Sequence, residues 1–186
     1  MAKTKLLIAS DIHGDAECAR QLLCRFDEEK ADLCVLLGDL LYHGPRNDLP
    51  QGYAPKEVIS LLNAQKERLI AVRGNCESEV DQMVLDFPVL AEYAVLFVDG
   101  RRFYLTHGHR YHAESPLPLG EGDVMLCGHT HIPDMVPFGQ GNLYLNPGSV
   151  SIPKNQSEKS YMVYEDGVFL WKKLWTGEAY KEHRLG

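Results

Sequence analysis

Two histidines separated by one residue follow an apolar run in the C-terminal half of the chain. The run is Val124-Met125-Leu126, and the histidines are His129 and His131. If the run is a strand, side chains two positions apart leave it on the same side. Imidazoles placed in this way can hold one metal ion or two neighbouring ions. Taken alone, the pair is equally compatible with two solvated loop histidines.

Four other apolar runs end in residues that can bind a metal. These residues are Asp11 and His13 after the first run, Asp39 after the second, Asn75 after the third and His107 after the fourth. Each residue could instead have a structural role, such as capping a helix for an aspartate or forming a turn for the asparagine. Ligands of open α/β sheets collect beyond the carboxyl ends of the strands. One shared site for zinc, manganese or iron explains the pattern better than five separate coincidences.

A βαβ unit is predicted for the N-terminal part of the chain. Residues 5–9 and 33–37 are short apolar runs typical of buried strands. Helical spacing between them is kept by Ala19, Leu22, Leu23 and Phe26, with Asp15 as the N-cap. Strand, helix and strand in about thirty residues predict a parallel pair of strands.

The rest of the chain is predicted to change from alternating helix and strand to mostly strand. An irregular segment over 40–54 precedes a helix from Pro55, a third strand over 69–72 and a short helix over 78–85. Asp99-Gly100 and Asp166-Gly167 predict two hairpin turns, and strands are also expected over 124–126 and 143–145. The predicted fold class is α/β (α+β), with two mixed β-sheets packed face to face and helices outside them.

Length, composition and charge narrow the class of function. The 186 residues, 45% of them hydrophobic, suit a single globular domain over 1–186. A net charge of -7 with scattered Lys and Arg disfavours a nucleic-acid partner. There is no signal-peptide pattern and no apolar stretch near the ~20 residues of a membrane span. Five cysteines without a C-x-x-C motif indicate a reduced, cytoplasmic setting.

The ordered motifs, taken together, resemble those of a known enzyme family. They are Asp11-x-His13, Gly38-Asp39, Gly74-Asn75, Thr106-His107-Gly108-His109 and Gly128-His129-Thr130-His131. The series is similar to that of the calcineurin-like metallophosphoesterases and extends from about Leu6 to Ser149. The small size and the segment 42–47 resemble the YfcE-type bacterial phosphodiesterases of that family. The resemblance implies a four-layer αββα sandwich and a dinuclear metal centre.

The resemblance also implies which residues bind each ion. One ion would be held by Asp11, His13, Asp39 and His131, and the other by Asp39, Asn75, His107 and His129. Asp39 would bridge the two, since a carboxylate offers two anionic oxygens. Two ions ~3.5–4 Å apart could activate a hydroxide and clamp the oxygens of a phosphoryl displacement. The family suggests Mn²⁺, although nitrogen and oxygen ligands also suit Fe²⁺, Zn²⁺, Co²⁺ and Ni²⁺.

The chain departs from the family pattern at Cys76. Many members have Gly-Asn-His and then an acidic residue, whereas this chain has Gly74-Asn75-Cys76-Glu77. A thiol with a pKa of ~8.5 is neutral at pH 7 and replaces an imidazolium poorly. We therefore expect weak protonation of the leaving group and a preference for diesters over dianionic monoesters. Simple packing of Cys76 is the alternative.

The segment after the second strand offers groups that could bind phosphate. Arg46 could form a paired contact with phosphate oxygens, and His43 could donate one hydrogen bond. A solvated loop arginine is the alternative for Arg46. His109, two residues after His107, could contact the substrate or support a ligand.

The leading hypothesis is a metal-dependent phosphodiesterase acting on a small-molecule diester, and two alternatives remain. The first is a protein-interaction module with a vestigial metal site, like the retromer scaffold subunit, although the ligand positions are complete here. The second is a phosphomonoesterase or nucleotide phosphatase. Self-association through a sheet edge or the region between Trp171 and Trp175 is left open.

Overall fold

The structure, a computed structural model, describes residues 4–186, which form eleven strands and three α-helices. In chain order these are β1 (Leu6–Ala9), α1 (Ala16–Glu29), β2 (Leu33–Leu36), α2 (Pro55–Asn63), β3 (Leu69–Ala71), α3 (Glu79–Gln82), β4 (Ala94–Val98), β5 (Arg101–Leu105), β6 (Val124–Leu126), β7 (Pro133–Phe138), β8 (Asn142–Pro147), β9 (Ser160–Glu165), β10 (Val168–Lys173) and β11 (Ala179–Arg184). A short 3₁₀ turn, Lys66–Arg68, precedes β3.

The strands form two mixed sheets. The first has the order β11-β10-β9-β1-β2-β3, and β1, β2 and β3 run parallel. The second has the order β4-β5-β6-β8-β7, and β5, β6 and β8 run parallel. The parallel strands of each sheet therefore end at one edge, which is where α/β proteins place their ligands.

Alternate side chains of the central strands build two cores. In β1, Leu6 and Ile8 face the second sheet, while Leu7 and Ala9 face the helices. Both faces are buried, so β1 and β2 read as continuous apolar runs in the sequence. The core between the sheets includes Trp171, whose indole N–H donates to the Asn146 carbonyl at 2.7 Å.

The outer faces of the two sheets are covered differently. Helices α1 and α2 pack on the first sheet through residues such as Phe26 and Leu62. The second sheet is covered by the irregular segment 108–123, which contributes Tyr111 and Leu117 to a small cluster over Met125. The predicted fold class is confirmed, with this segment as the fourth layer where helices were expected.

Local sequence signals account for most element boundaries. The Asp15 side chain caps α1 by accepting from the Cys18 N–H at 3.0 Å, and Pro55 occupies the first turn of α2. The Asp99-Gly100 turn joins β4 and β5 with both residues at positive φ, as a type I′ turn requires. The helix predicted over 78–85 is shorter than expected, and β7 and β11 were not predicted.

Candidate metal centre

Five loops meet at the edge where the parallel strands end. They follow β1, β2, β3, β5 and β6 and carry the residues predicted to bind metal: Asp11, His13, Asp39, Asn75, His107, His129 and His131. The loops bind one another directly. The His107 Nδ1 contacts the Leu37 carbonyl at 2.7 Å, and the His129 N–H donates to Asp11 Oδ2 at 3.0 Å. The two sheets are thus joined at the site.

One group of atoms gathers around Asp11 Oδ1. This oxygen lies 3.2 Å from His131 Nε2 and 3.5 Å from His13 Nε2. The two nitrogens are 3.2 Å apart, and Asp39 Oδ2 lies 3.7 Å from His13 Nε2. These four residues are all buried. They are the set that the sequence assigns to one ion.

A second group of atoms gathers on the other side of Asp39. Its Oδ2 lies 3.5 Å from His107 Nε2. That nitrogen is 3.1 Å from Asn75 Oδ1 and 3.3 Å from His129 Nδ1. These four residues are the set that the sequence assigns to the second ion. Asp39 lies between the two groups, as a bridging carboxylate must.

Hydrogen bonds to backbone carbonyls orient two histidine rings so that their Nε2 lone pairs point into the site. The Nδ1 atoms of His13 and His131 each lie 2.8 Å from a carbonyl oxygen, of Tyr42 and Ile152 respectively. A carbonyl can only accept, so each Nδ1 carries a proton, and each ring in its neutral form presents a lone pair at Nε2. The two lone pairs face each other and Asp11 Oδ1, a buried oxygen without a hydrogen-bond partner. A cation satisfies all three atoms, so the residues fit a divalent metal.

The electrostatics of the site favour positive charge at its centre. Burial opposes ionisation of Asp11, but the rings of His13 and His131 outweigh it and hold the carboxyl pKa well below its usual range. Burial likewise opposes a charge on His107, yet Asp39 and Asp11 raise its pKa to about 9. Burial and then the neighbouring His107 lower the pKa of His129 to about 4.

Five of the seven candidate ligands have left-handed backbone conformations. The φ angles are 59° at Asp11, 49° at His13, 56° at Asp39, 69° at His129 and 62° at His131. Positive φ is uncommon for residues other than glycine and costs ~1–3 kcal/mol each in strained cases. This strain is concentrated where side chains must be aimed at one point, which is typical of functional sites.

Two glycines allow the loops to approach each other closely. A Cβ at Gly74 would lie 2.1 Å from Asp39 Oδ1, and a Cβ at Gly128 would lie 1.9 Å from Ser10 Oγ. No side chain fits at either position. The Gly in each motif therefore serves to bring Asp39 and Asp11 into place.

Glu77 is a buried residue beside the site that the sequence argument did not single out. Its buried carboxylate accepts from the backbone N–H groups of Asp39 (2.8 Å), Leu40 (2.7 Å) and Gly74 (2.6 Å). Burial and then the charge of Asp39 raise its pKa to about 7. Glu77 fastens the loops after β2 and β3 to each other. Its place in the motif Gly74-Asn75-Cys76-Glu77 was the available signal.

Cys76 lies against the central carboxylate. Its backbone N–H donates to Asp39 Oδ1 at 2.9 Å, and its Sγ lies 3.3 Å from Asp39 Oδ2. Burial and then the negative charge of Asp39 raise the pKa of the thiol, so it stays protonated at neutral pH. A thiol in this setting is a weak acid and a weak base.

A cavity of about 410 Å³ opens over the candidate ligands. Its lining includes Asp39, Asn75, His129 and His131 and also Gly44, Pro45, Arg46, Asn47, Cys76, Thr130 and Lys154. Arg46 therefore lies beside the candidate ligands, and its contact with phosphate stays a prediction. Lys154 and Thr130 were not predicted, because nothing in the sequence distinguishes Lys154 from a surface lysine.

The other two predicted polar side chains lie outside this cavity. The His43 ring makes edge contacts with Tyr42 and Tyr53 at 4.7 and 5.4 Å between centroids, and its Nδ1 is buried without a hydrogen-bond partner. His109 packs beside His107 at 5.4 Å and faces a separate surface depression shared with Thr130.

The sequence over residues 4–166 matches the pattern of the calcineurin-like phosphoesterase superfamily domain. The chain belongs to the calcineurin-like phosphoesterase superfamily. Phosphodiesterase YfcE of Escherichia coli K12 is 46% identical over 165 residues, which cover 88% of this chain and 89% of that protein. The probable metallophosphoesterase YsnB of Bacillus subtilis is 26% identical and covers 85% of this chain and 82% of its own.

Solved structures of the superfamily agree with this assignment. The structure of the phosphoesterase Yfce from E. coli superposes with a TM-score of 0.94 at 42% identity, covering 98% of this chain and all of that one. The zinc complex of Vps29 from Entamoeba histolytica, at 17% identity and a TM-score of 0.61, covers 98% of this chain and all of its own, and shares the fold alone. In the described residues of this calcineurin-like phosphoesterase, no helix has the length and apolar character needed to cross a membrane.

Proposed function

We propose that the protein is a phosphoric diester hydrolase that uses a dinuclear centre of divalent metal ions. The observation that carries this proposal is the position of Asp39, whose Oδ2 contacts both groups of candidate ligands. The relatives that match most of the chain carry the names phosphodiesterase and metallophosphoesterase. Their enzyme class supports the same reaction, hydrolysis of a phosphodiester bond.

The proposed ligands divide into the two groups described above. Asp11, His13 and His131 would hold one ion, Asn75, His107 and His129 the other, and Asp39 both. Two divalent ions held there would supply the Lewis acidity that lowers the pKa of water towards neutrality. The carbonyls of Tyr42, Leu37 and Ile152 orient three of the imidazoles.

Side chains around the cavity would bind and orient the phosphate. Arg46 and Lys154 both line it, and within residues 4–186 neither forms an ion pair with a carboxylate. Their free charges would attract an anionic substrate to a protein whose net charge is -7. The protonated Cys76 thiol offers little help to a poor leaving group, which supports diesters with good leaving groups as substrates.

The two alternative functions are less well supported. A phosphomonoesterase would need help with a dianionic phosphate and its leaving group, and a neutral thiol stands where many members of the family have an imidazole. A scaffold has no chemical need for seven converging ligands, five of them on strained backbone. A phosphodiesterase would use the seven candidate ligands to bind metal and would not need an imidazole in place of the thiol.

The ligand types bear on the identity of the metal, and the cysteines bear on the location of the protein. We favour Mn²⁺ from the family resemblance, because nitrogen and oxygen ligands accept Fe²⁺, Zn²⁺, Co²⁺ and Ni²⁺ as well. The cysteines among residues 4–186 are free thiols, which is consistent with the proposed cytoplasmic location.

Metal analysis combined with a hydrolysis assay tests the proposal. The purified protein is expected to contain about two divalent ions per chain and to hydrolyse bis(4-nitrophenyl) phosphate. Chelation should abolish hydrolysis, and added Mn²⁺ should restore it. Activity that survived complete removal of the metals would end the proposal. Faster turnover of 4-nitrophenyl phosphate than of the diester would replace it with a monoesterase.

A further inference from the structure

We propose that a second cavity beside the metal centre binds an apolar, ring-sized ester group of the substrate. The inference rests on the proposed function, because it names the class of diester that the site accepts. The cavity measures about 370 Å³ and lies between the segment 41–55, helix α2 and the region of α3. Cavities of ~300–1,000 Å³ are the usual size for small-molecule sites.

The walls of this cavity are mainly apolar and aromatic. They include Tyr42, Tyr53, Ile59, Val80 and Val84. Its two ionic members, Lys56 and Asp81, have opposite charges. Such a surface favours a neutral ring over a second phosphate.

The cavity adjoins the cavity over the candidate metal ligands at Cys76. This residue lines both the second cavity and the cavity over the metal ligands. Its Sγ lies 3.3 Å from Asp39 Oδ2, the oxygen proposed to bridge the ions. In the proposed binding mode, an ester group of a phosphate bound over the candidate ligands would enter the apolar cavity beside Cys76.

The wall of the cavity is fixed to a candidate ligand. The Tyr42 carbonyl is 2.8 Å from His13 Nδ1, and the His43 ring packs edge-on against both Tyr42 and Tyr53. This gives His43 a role that differs from the phosphate contact predicted from the sequence. It positions the aromatic wall relative to the metals.

Exposed apolar side chains mark the opening of the cavity. Val80 is 65% exposed and Val84 is 43% exposed. Apolar side chains grouped beside a charged centre indicate a ligand with both kinds of surface. A phosphodiester with one apolar ester group meets this description, whereas an isolated phosphate does not.

Two matched inhibitors test the inference against the same substrate. Diphenyl phosphate and dimethyl phosphate carry the same charge and differ in their ester groups. With bis(4-nitrophenyl) phosphate as the substrate, the Ki of diphenyl phosphate is expected to be at least about tenfold lower than that of dimethyl phosphate, because a ring is buried. The double variant Val80→Gln/Val84→Gln should reduce this advantage to about threefold or less and leave the Ki of dimethyl phosphate unchanged.

A control variant and a second measurement separate the outcomes. Met83 is 81% exposed, lies in the same segment and does not line the cavity, so Met83→Gln should preserve the selectivity. Equal Ki values for the two inhibitors in the active wild-type enzyme would overturn the inference but leave the proposed function intact. The inference would also be overturned if the double variant changed the oligomeric state in light scattering but kept the Ki ratio of the two inhibitors. The surface would then bind a second copy of the chain. If the wild-type protein hydrolysed no diester at all, the proposed function itself would be rejected.

Discussion

At the scale of single residues, the site depends on the Nε2 atoms of His13 and His131, which face each other and Asp11 Oδ1. Backbone carbonyls fix the protons of His13 and His131 on Nδ1, so their Nε2 atoms meet 3.2 Å apart. Asp39 adds an oxygen that faces both halves of the site. The seven ligand candidates were predictable from the sequence, because each stands directly after an apolar run. Lys154 was not predictable, since only the folded loop brings it over the site.

Asp39→Asn tests the bridging role. The amide keeps the shape but removes the negative charge, so both ions should be lost together. Diester hydrolysis should fall by more than the ~10–100-fold typical of residues that merely support a ligand. Metal content by mass spectrometry and hydrolysis rates provide the measurement. His129→Ala and His131→Ala serve as comparisons, because each should empty mainly one site, and wild-type rates in Asp39→Asn would exclude a bridge.

Cys76→His tests the role of the thiol. An imidazole at this position can donate a proton to a leaving group, which the neutral thiol does poorly. Turnover of an alkyl phosphodiester should rise by about tenfold or more, while a nitrophenyl diester with its good leaving group should change little. Cys76→Ala is the matched control and should show no gain. An unchanged rate on the alkyl diester would assign Cys76 to packing alone.

At the scale of elements, the sequence predicted central strands well and edge strands poorly. The buried strands β1, β2 and β6 are continuous apolar runs, which give a strong signal. Strand β7 contains Pro133 and Pro137 and pairs only with β8, so its prolines are tolerated at an edge. Strand β11 is a polar sequence at the other sheet's edge. The prolines of β7 and the polar side chains of β11 hide the strand pattern on which prediction relies.

Self-association through the region between Trp171 and Trp175 stays a prediction, and the structure limits which of the two tryptophans could take part. Trp171 is fully buried between the sheets, whereas Trp175 is 46% exposed. Only Trp175 is available for contact with another chain, because inward-facing residues of β10 belong to the core. The sequence alone did not show which side chains of β10 face the core. That depends on how β10 pairs with β9 and β11.

Glu77→Gln tests the junction between the loops after β2 and β3. The amide can accept fewer of the three backbone N–H groups and introduces donors beside them. A loss of about 1–3 kcal/mol in the free energy of unfolding is expected, from buried donors left without an acceptor. Urea unfolding of the metal-free protein measures it. Gln140→Ala, in a turn far from the site, is the control, and equal stability of Glu77→Gln and wild type would refute the fastening role.

At the scale of the whole molecule, the helix layer is tied to the first sheet by a charged contact as well as by the core. Glu29, at the end of α1, binds Lys172 of β10 and accepts from the Tyr161 hydroxyl of β9. Lys5, next to β1, lies 3.3 Å from the same carboxylate. Burial alone would raise the pKa of Glu29, but Lys172 and Lys5 hold it below its usual range. The layered fold was predictable from element order, whereas this long-range contact was not.

The lowered pKa predicts a pH-dependent contribution to stability. A carboxylate whose pKa is depressed by folding stabilises the protein above its unfolded value, near 4.5, and loses that effect as the pH falls through the folded value. Glu29→Gln should therefore cost up to about 1 kcal/mol at pH 7 and much less at pH 3. Urea unfolding of metal-free protein at both pH values measures the difference. Glu121→Gln, at an exposed position, should cost nothing at either pH, and a pH-independent loss in Glu29→Gln would contradict the charged contact.

The left-handed backbone at Asp11, His13, Asp39, His129 and His131 has a consequence for how the enzyme acquires its ions. Strained conformations persist only when the surrounding structure enforces them, and here the enforcing groups are sheets, glycines and Glu77, all supplied by the chain itself. The backbone geometry of the site is thus imposed by contacts within the protein itself. We expect one divalent ion to exchange for another without refolding, so that the occupant follows the supply of metals in the surroundings.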